Sequence, residues 1–220
     1  IGSQTPLSIN YIKIDPTKRY RLSGCFKSIG AGGLSRIYFG YRPWDEKYRE
    51  IDCIMSDRFS DRNSTLVQAL NPGDTTVFLD SVTNYTTTSG AYLGIHPFEN
   101  YPEYTYTRTY VRYNAITPEN NSLTLISPYS SLSMPAGTKV AQHKSTYGSH
   151  MYSTAEYVAV PSSWTCYSAE IYGQAIPMTT FKQWRYGTRY IRIMMLLNYA
   201  QDNTYSVLVD NLKLELISNQ

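Results

Sequence analysis

The chain has 220 residues, a net charge of +3, only 17% charged residues and 22 tyrosines. That length fits one large all-β domain, or one domain carrying a smaller insert, and it can bury a core without disulfide help. Lys and Arg are scattered singly, with no run to follow a phosphate backbone, and no apolar stretch is long enough to span a bilayer, so neither nucleic acid nor membrane insertion is expected.

The opening Ile1-Gly-Ser-Gln-Thr-Pro, without a starting Met, reads as part of something longer. Asp15-Pro-Thr-Lys18 is a predicted turn, because Pro fixes φ and Asp accepts from amides just beyond itself. After it the chain alternates strictly. Tyr20, Leu22, Gly24 and Phe26 share one face, and Arg19, Arg21, Ser23, Cys25 and Lys27 share the other. Period two with one apolar face predicts a strand covering a core. The far end mirrors it: Tyr205, Val207 and Val209 alternate, Asp210-Asn211 breaks the run, and Leu212, Leu214 and Leu216 alternate again. A half-buried strand near each terminus predicts a β-sandwich closed by pairing of the two chain ends.

Between them, residues 35–42 form a second predicted strand with Ile37, Phe39 and Tyr41 on one face, and residues 48–55 a third. Residues 57–61 read as a polar link. Further strands are expected at 64–69, 75–79, 92–95, 122–126 and 138–143, separated by turns such as Asn71-Pro-Gly-Asp74, Pro135-Ala-Gly137 and residues 114–119. The sandwich resumes near Gly148, with strands at 155–160, 164–172 and 190–197 and a loop at 183–187. The last of these strands is apolar on both faces. It is either central in its sheet or covered by a neighbouring subunit.

Ile14-Asp-Pro-Thr-Lys-Arg-Tyr-Arg-Leu-Ser-Gly24, Ser35-Arg-Ile-Tyr-Phe-Gly-Tyr41 and Tyr205-Ser-Val-Leu-Val-Asp-Asn-Leu-Lys-Leu214 together resemble the jelly-roll modules that bind carbohydrate. In particular they resemble the versions near the C-termini of bacteriophage tail fibres. The middle of the chain is similar to a small β-unit often inserted in such jelly rolls. The resemblance implies a jelly-roll β-sandwich at residues 1–59 and 148–220, with an inserted β subdomain at 60–147. It also implies a homotrimer in a virion fibre, made in the host cytoplasm and bound to a bacterial surface polysaccharide or lipopolysaccharide. The alternative is a carbohydrate-binding module of a bacterial polysaccharide-degrading enzyme.

Cys25, Cys53 and Cys166 are odd in number and widely spaced, which argues against a disulfide framework or zinc cluster and reads as three reduced thiols. Glycan hydrolysis needs two carboxylates about 5 to 10 Å apart. Glu50 with Asp52 and Glu99 with Glu103 are the candidates, and neither is more than a solvated pair, so no catalysis is expected. His96, His143 and His150 match no metal or nucleophile motif. Resemblance alone raises a structural calcium at Asp57 with Asp61, or at Asp210; lacking a ligand loop, the chain is expected to hold neither metal nor cofactor.

What remains is recognition, for which flat aromatic faces and short polar groups are required. The richest stretch holds Asn100, Tyr101, Glu103, Tyr104, Tyr106 and Arg108. Trp44 in a polar turn is a second candidate, and Trp184, Arg185 and Tyr186 a third.

Overall fold

The structure is a computed structural model that describes residues 4–30, 35–48, 50–51, 56–88, 91–96, 109–145, 151–175, 181–199 and 205–217. In chain order its strands are β1 (Ile12–Lys13), β2 (Arg19–Gly30), β3 (Arg36–Trp44), β4 (Ser56–Thr65), β5 (Thr76–Phe78), β6 (Ala91–His96), β7 (Thr109–Thr117) and β8 (Ser122–Leu125). There follow β9 (Lys139–Ser145), β10 (Met151–Ala159), β11 (Thr165–Ile171), β12 (Gln174–Ala175), β13 (Trp184–Arg185), β14 (Tyr190–Leu196) and β15 (Tyr205–Ile217). The protein is all-β, and its sheets are antiparallel apart from the two-residue parallel pair β12–β13. Two compact units emerge, Ile1–Cys53 with His150–Gln220, and Ile54–Ser149.

The first unit is a sandwich of a four-stranded sheet, β1-β14-β3-β10, and a three-stranded sheet, β11-β2-β15. The turn before β2 forms as its residues dictate: Asp15 Oδ1 accepts from the Thr17 amide at 3.0 Å, and the Lys18 amide donates to the Asp15 carbonyl at 3.0 Å. From there alternation sends Leu22 and Phe26 inward to meet Ile37, Phe39 and Tyr41 of β3, all fully buried. The Phe26 and Phe39 rings meet edge-on, with centroids 5.2 Å apart, an arrangement that lets the positive edge of one ring face the negative face of the other.

The two ends of the chain pair. β15 runs antiparallel to β2, from Tyr205 opposite Gly30 to Ile217 opposite Arg19. The break at Asp210-Asn211 is a bulge inside one strand: the register shifts between Asp210 and Lys213, and Asn211 takes φ +54°. Asn tolerates that left-handed geometry, so one extra residue is absorbed without ending the strand. β14, the strand apolar on both registers, lies between β1 and β3, with Ile191 and Met194 fully buried. The preceding N-terminal stretch extends β1 along the same edge through bridges at Gln4–Leu197 and Leu7–Met194. A central strand covered by its own chain accounts for the pattern.

The second unit holds one six-stranded sheet, β4-β9-β6-β7-β8-β5, whose core includes Leu66, Leu79, Leu93, Ile95, Leu123 and Val140.

Several sequence expectations change. Residues 57–61 lie within β4 rather than a polar link, because β9 supplies a partner strand that local polarity does not reveal. Extended structure continues through Thr117, and the turn expected at 114–119 narrows to a 3₁₀ turn at Pro118–Asn120. The third predicted strand is reduced, among the described residues, to a bridge between Trp44 and Glu50, after Tyr48 turns the chain with φ +56°. The loop at 183–187 contains β13. Cys25 and Cys166, expected as free thiols, form a disulfide: β11 pairs with β2 in a register that sets the two directly opposite, with Cα atoms 3.9 Å apart. A sequence separation of 141 hid that adjacency. Cys53 lies outside the described residues.

Candidate functional site

The alternation that buries Ile37, Phe39 and Tyr41 turns Arg36, Tyr38, Arg42 and Trp44 to the opposite, outer face of the four-stranded sheet. β14 adds Tyr190 and Arg192 to this face through the register Tyr190–Trp44 and Arg192–Arg42. β10 lies on the other side of β3, but its register shifts twice, between Met151 and Ala155 and between Ala155 and Val158. These bulges re-aim its side chains. The result is an outer face carrying two aromatic patches at opposite ends of β3.

At the first end Tyr38 is the hub. Its ring lies 4.4 Å from Tyr152, 5.2 Å from Tyr199 in a perpendicular arrangement and 5.9 Å from Tyr157. Tyr157 and Tyr199 contact each other at 6.0 Å and remain 51% and 39% exposed. Tyr157 sits in the second bulge with φ +50°, a left-handed backbone that a bulky side chain adopts only against a steric cost. The guanidinium of Arg36 lies 5.5 Å from the Tyr157 ring centroid. Its side chain makes no hydrogen bond or ion pair among the described residues, and its Nη1 is buried without an acceptor. Burial, then the neighbouring Tyr199, Glu156 and Tyr157, raise the Tyr38 hydroxyl above its ordinary range. Burial, with Tyr38 next in order, pushes Tyr152 up to about 12. Both phenols therefore stay protonated, as neutral hydrogen-bond donors and acceptors.

At the other end Tyr11 meets Trp44 edge-on at 5.2 Å and Tyr48 at 5.1 Å, and Tyr48 stacks on Tyr190 at 4.3 Å and 22°. A hydrogen bond with Tyr190 raises the Tyr48 hydroxyl above its ordinary range. Arg192 lies between the Tyr11 and Trp44 rings at 5.6 and 5.8 Å from their centroids, and its Nε donates to the Ser8 carbonyl. Tyr48, like Tyr157, is about half exposed and has a positive φ. The other four non-glycine residues of this kind among those described are all asparagines. Two exposed tyrosines therefore hold a conformation that, among the described non-glycine residues, is otherwise taken by Asn.

Of the residues expected to bind ligand, Trp44 belongs to the second patch but is 5% exposed, roofed by Tyr11. Trp184 is fully buried between Tyr20 and Tyr41 in the sandwich core, and Arg185 beside it is 6% exposed. Neither Trp184 nor Arg185 offers a face to solvent. The short strand that carries both closes the core, and an indole that fills a core has no free face for a sugar. Asn100, Tyr101, Glu103, Tyr104, Tyr106 and Arg108 lie outside the described residues. The tryptophan with a half-exposed ring is Trp164, just before β11.

The sequence reading missed Arg36, Tyr38, Tyr152, Tyr157 and Tyr199. For Tyr38 the signal was present, because it occupies the outward register of a strand whose inward residues were assigned.

Glu50, half of one catalytic pair considered, forms an ion pair with Arg42 at 3.3 Å, and Asp52 lies outside the described residues. Asp61 accepts from the Asn84 side-chain amide at 3.1 Å, and Asp210 accepts from the Asn211 backbone amide at 2.7 Å. No group of three or more metal-ligating side chains occurs among the described residues. In the second unit an open pocket of about 340 Å³ is lined by Val111, Arg112, Ile126 and Tyr129 among others. There Arg112 is engaged by Tyr92, whose hydroxyl accepts from its Nη2 at 2.6 Å.

Comparison with protein-family models, with curated proteins and with solved structures finds no match to this chain.

Proposed function

We propose that the chain is a non-catalytic recognition domain that holds a bacterial surface glycan on the outer face of its four-stranded sheet, as the receptor-binding domain of a phage tail fibre. The observation that carries the reading is the tyrosine patch of Tyr38, Tyr152, Tyr157 and Tyr199, with Tyr157 held in a left-handed bulge. Strained backbone at an exposed aromatic is the kind of feature that persists where function requires it. Tyrosine suits glycan recognition, because its flat apolar face packs on the hydrogen-rich side of a sugar ring and its phenol bonds the sugar hydroxyls at little entropic cost. The fibre assignment rests on the resemblance of the two terminal strands and β3 to phage-fibre jelly rolls, and it brings a homotrimer with it. Weak single sites would then gain avidity from repeated copies.

The Cys25–Cys166 disulfide favours a second reading, the glycan-binding module of an exported polysaccharide-degrading enzyme, since disulfides persist in oxidising compartments.

A glycan array carrying bacterial capsular polysaccharides and lipopolysaccharides tests the shared claim. Binding to a defined subset is expected, and binding to none overturns it. Light scattering separates the two settings: a trimer of the 25.1 kDa chain supports the fibre, and a monomer supports the module.

A further inference from the structure

We infer that the glycan on this face is acidic, a polymer bearing carboxylates that Arg36 meets beside the Tyr157 ring; the inference rests on the recognition reading above. The strands contribute Lys13, Arg36, Arg42 and Arg192 to the outer face, against Glu156 on β10 and Glu50, which pairs with Arg42. The balance is cationic, and the cations are not equivalent. Arg42 is matched by a carboxylate, and Arg192 is committed to the Ser8 carbonyl and to the Tyr11 and Trp44 rings. Arg36 has no such commitment: among the described residues its side chain makes no hydrogen bond or ion pair, and its guanidinium lies 5.5 Å from the Tyr157 ring centroid. Its Nη1 is buried, which leaves the Nε and Nη2 edge of the guanidinium as the side a ligand would meet. A carboxylate can still meet the guanidinium through its Nε and Nη2 edge, as two parallel hydrogen bonds, while the neighbouring ring packs on the attached sugar. A neutral glycan would leave that donor set unused.

A single-stranded nucleic acid would also offer negative charge and stacking bases. It needs a basic groove that tracks successive phosphates, and the tyrosine patch has one uncommitted arginine rather than a row of cations.

The test is titration calorimetry with polygalacturonate, alginate and hyaluronan, each beside its carboxyl-reduced neutral counterpart, and with a single-stranded oligothymidylate. At least one acidic polymer is expected to bind, weakening about tenfold or more on carboxyl reduction and with added salt. Arg36→Gln is expected to lose binding of the acidic polymer about tenfold, with its melting temperature unchanged or raised because an unpaired buried charge is removed. Equal affinity for acidic and reduced polymers overturns the acidic assignment and leaves glycan recognition standing. Binding to none of the acidic polymers overturns the acidic assignment, with the glycan array deciding whether glycan recognition falls as well, and stronger binding of the oligothymidylate overturns the acidic glycan in favour of nucleic acid.

Discussion

Cys25 and Cys166 stand directly opposite one another on β2 and β11 and are joined by a disulfide on the outer side of the three-stranded sheet, where Cys166 is exposed. The bond ties strands that already pair over seven residues, from Thr165–Phe26 to Ile171–Tyr20. Its removal is therefore expected to lower stability without unfolding the sandwich. The double variant Cys25→Ser, Cys166→Ser should lose about 2 to 4 kcal/mol, read as a lower denaturation midpoint, and dithiothreitol should bring the native protein to the same value. A non-reducing peptide map should recover the two cysteines in one linked fragment. A native protein whose midpoint ignores dithiothreitol would show that the bond contributes nothing.

A second structural constraint concerns Gly40. A Cβ at this position would lie 1.7 Å from the Met151 carbonyl oxygen and 2.9 Å from the Ser153 amide nitrogen, both backbone atoms of β10. Backbone cannot swing aside, so Gly40→Ala must part β3 from β10, at a cost on the order of 3 kcal/mol or more. Gly24 is a control in the same sandwich. There the closest atom, at 2.6 Å, is Cδ2 of Leu212, the far end of a flexible side chain, and the Phe39 ring stands at 3.2 Å. Gly24→Ala is expected to cost on the order of 1 kcal/mol. Urea titrations of both variants should rank Gly40→Ala as clearly the worse, and the opposite order would contradict the β3–β10 register.

The two glycines also mark how far the sequence was legible. Strict alternation in β2 and β3 assigned the core correctly, because a period of two with one apolar face has a single solution once a sheet must cover something: Leu22, Phe26, Ile37, Phe39 and Tyr41 are all fully buried. The pairing of β2 with β15 was legible for the same reason. Features set by a distant partner were not. The disulfide depends on the β2–β11 register, the strand at Ser56–Thr65 depends on β9, and the bulges of β10 aim Tyr157 by a left-handed residue that no local signal marks. The tryptophans misled for a related reason. A Trp between polar neighbours reads as exposed, yet Trp44 is roofed by Tyr11 and Trp184 fills the core, contacts made by residues far away in sequence.

Alkaline titration probes the tyrosine hub. A phenol is neutral while protonated, and burial favours that form in the folded state, so Tyr152 is raised from 10.0 to about 12 and Tyr38 is raised as well. A group whose folded value exceeds its unfolded one contributes stability that is fully present below about pH 10 and lost as pH climbs toward 12. Tyr113 in the second unit, also raised by burial, acts in the same direction. The denaturation midpoint is therefore expected to hold steady up to about pH 10 and then fall. Phenolate absorbance should likewise show a group of tyrosines ionising late. In Tyr152→Phe the sandwich should lose part of the alkaline fall. A midpoint that falls equally in this variant and in the native protein would remove Tyr152 from the account.

Tyr157 separates what the patch costs from what it does. At φ +50° a tyrosine gives up on the order of 1 kcal/mol relative to glycine, for which this conformation is unstrained. The ring returns part of that through its contacts with Tyr38, Tyr199 and Arg36, each modest at an exposed site. Tyr157→Gly therefore keeps the bulge, removes the ring, and should leave stability within about 1 kcal/mol of native, with either sign allowed by the near balance. Glycan affinity, by contrast, should fall about tenfold or more, because the exposed face on which a sugar would pack is gone. Tyr157→Ala removes the same ring but keeps the backbone strain, so it should bind as weakly as the glycine variant and melt below it. Matched melting and binding curves for the two variants make the test: full affinity in the glycine variant would show that the strained tyrosine serves the bulge alone.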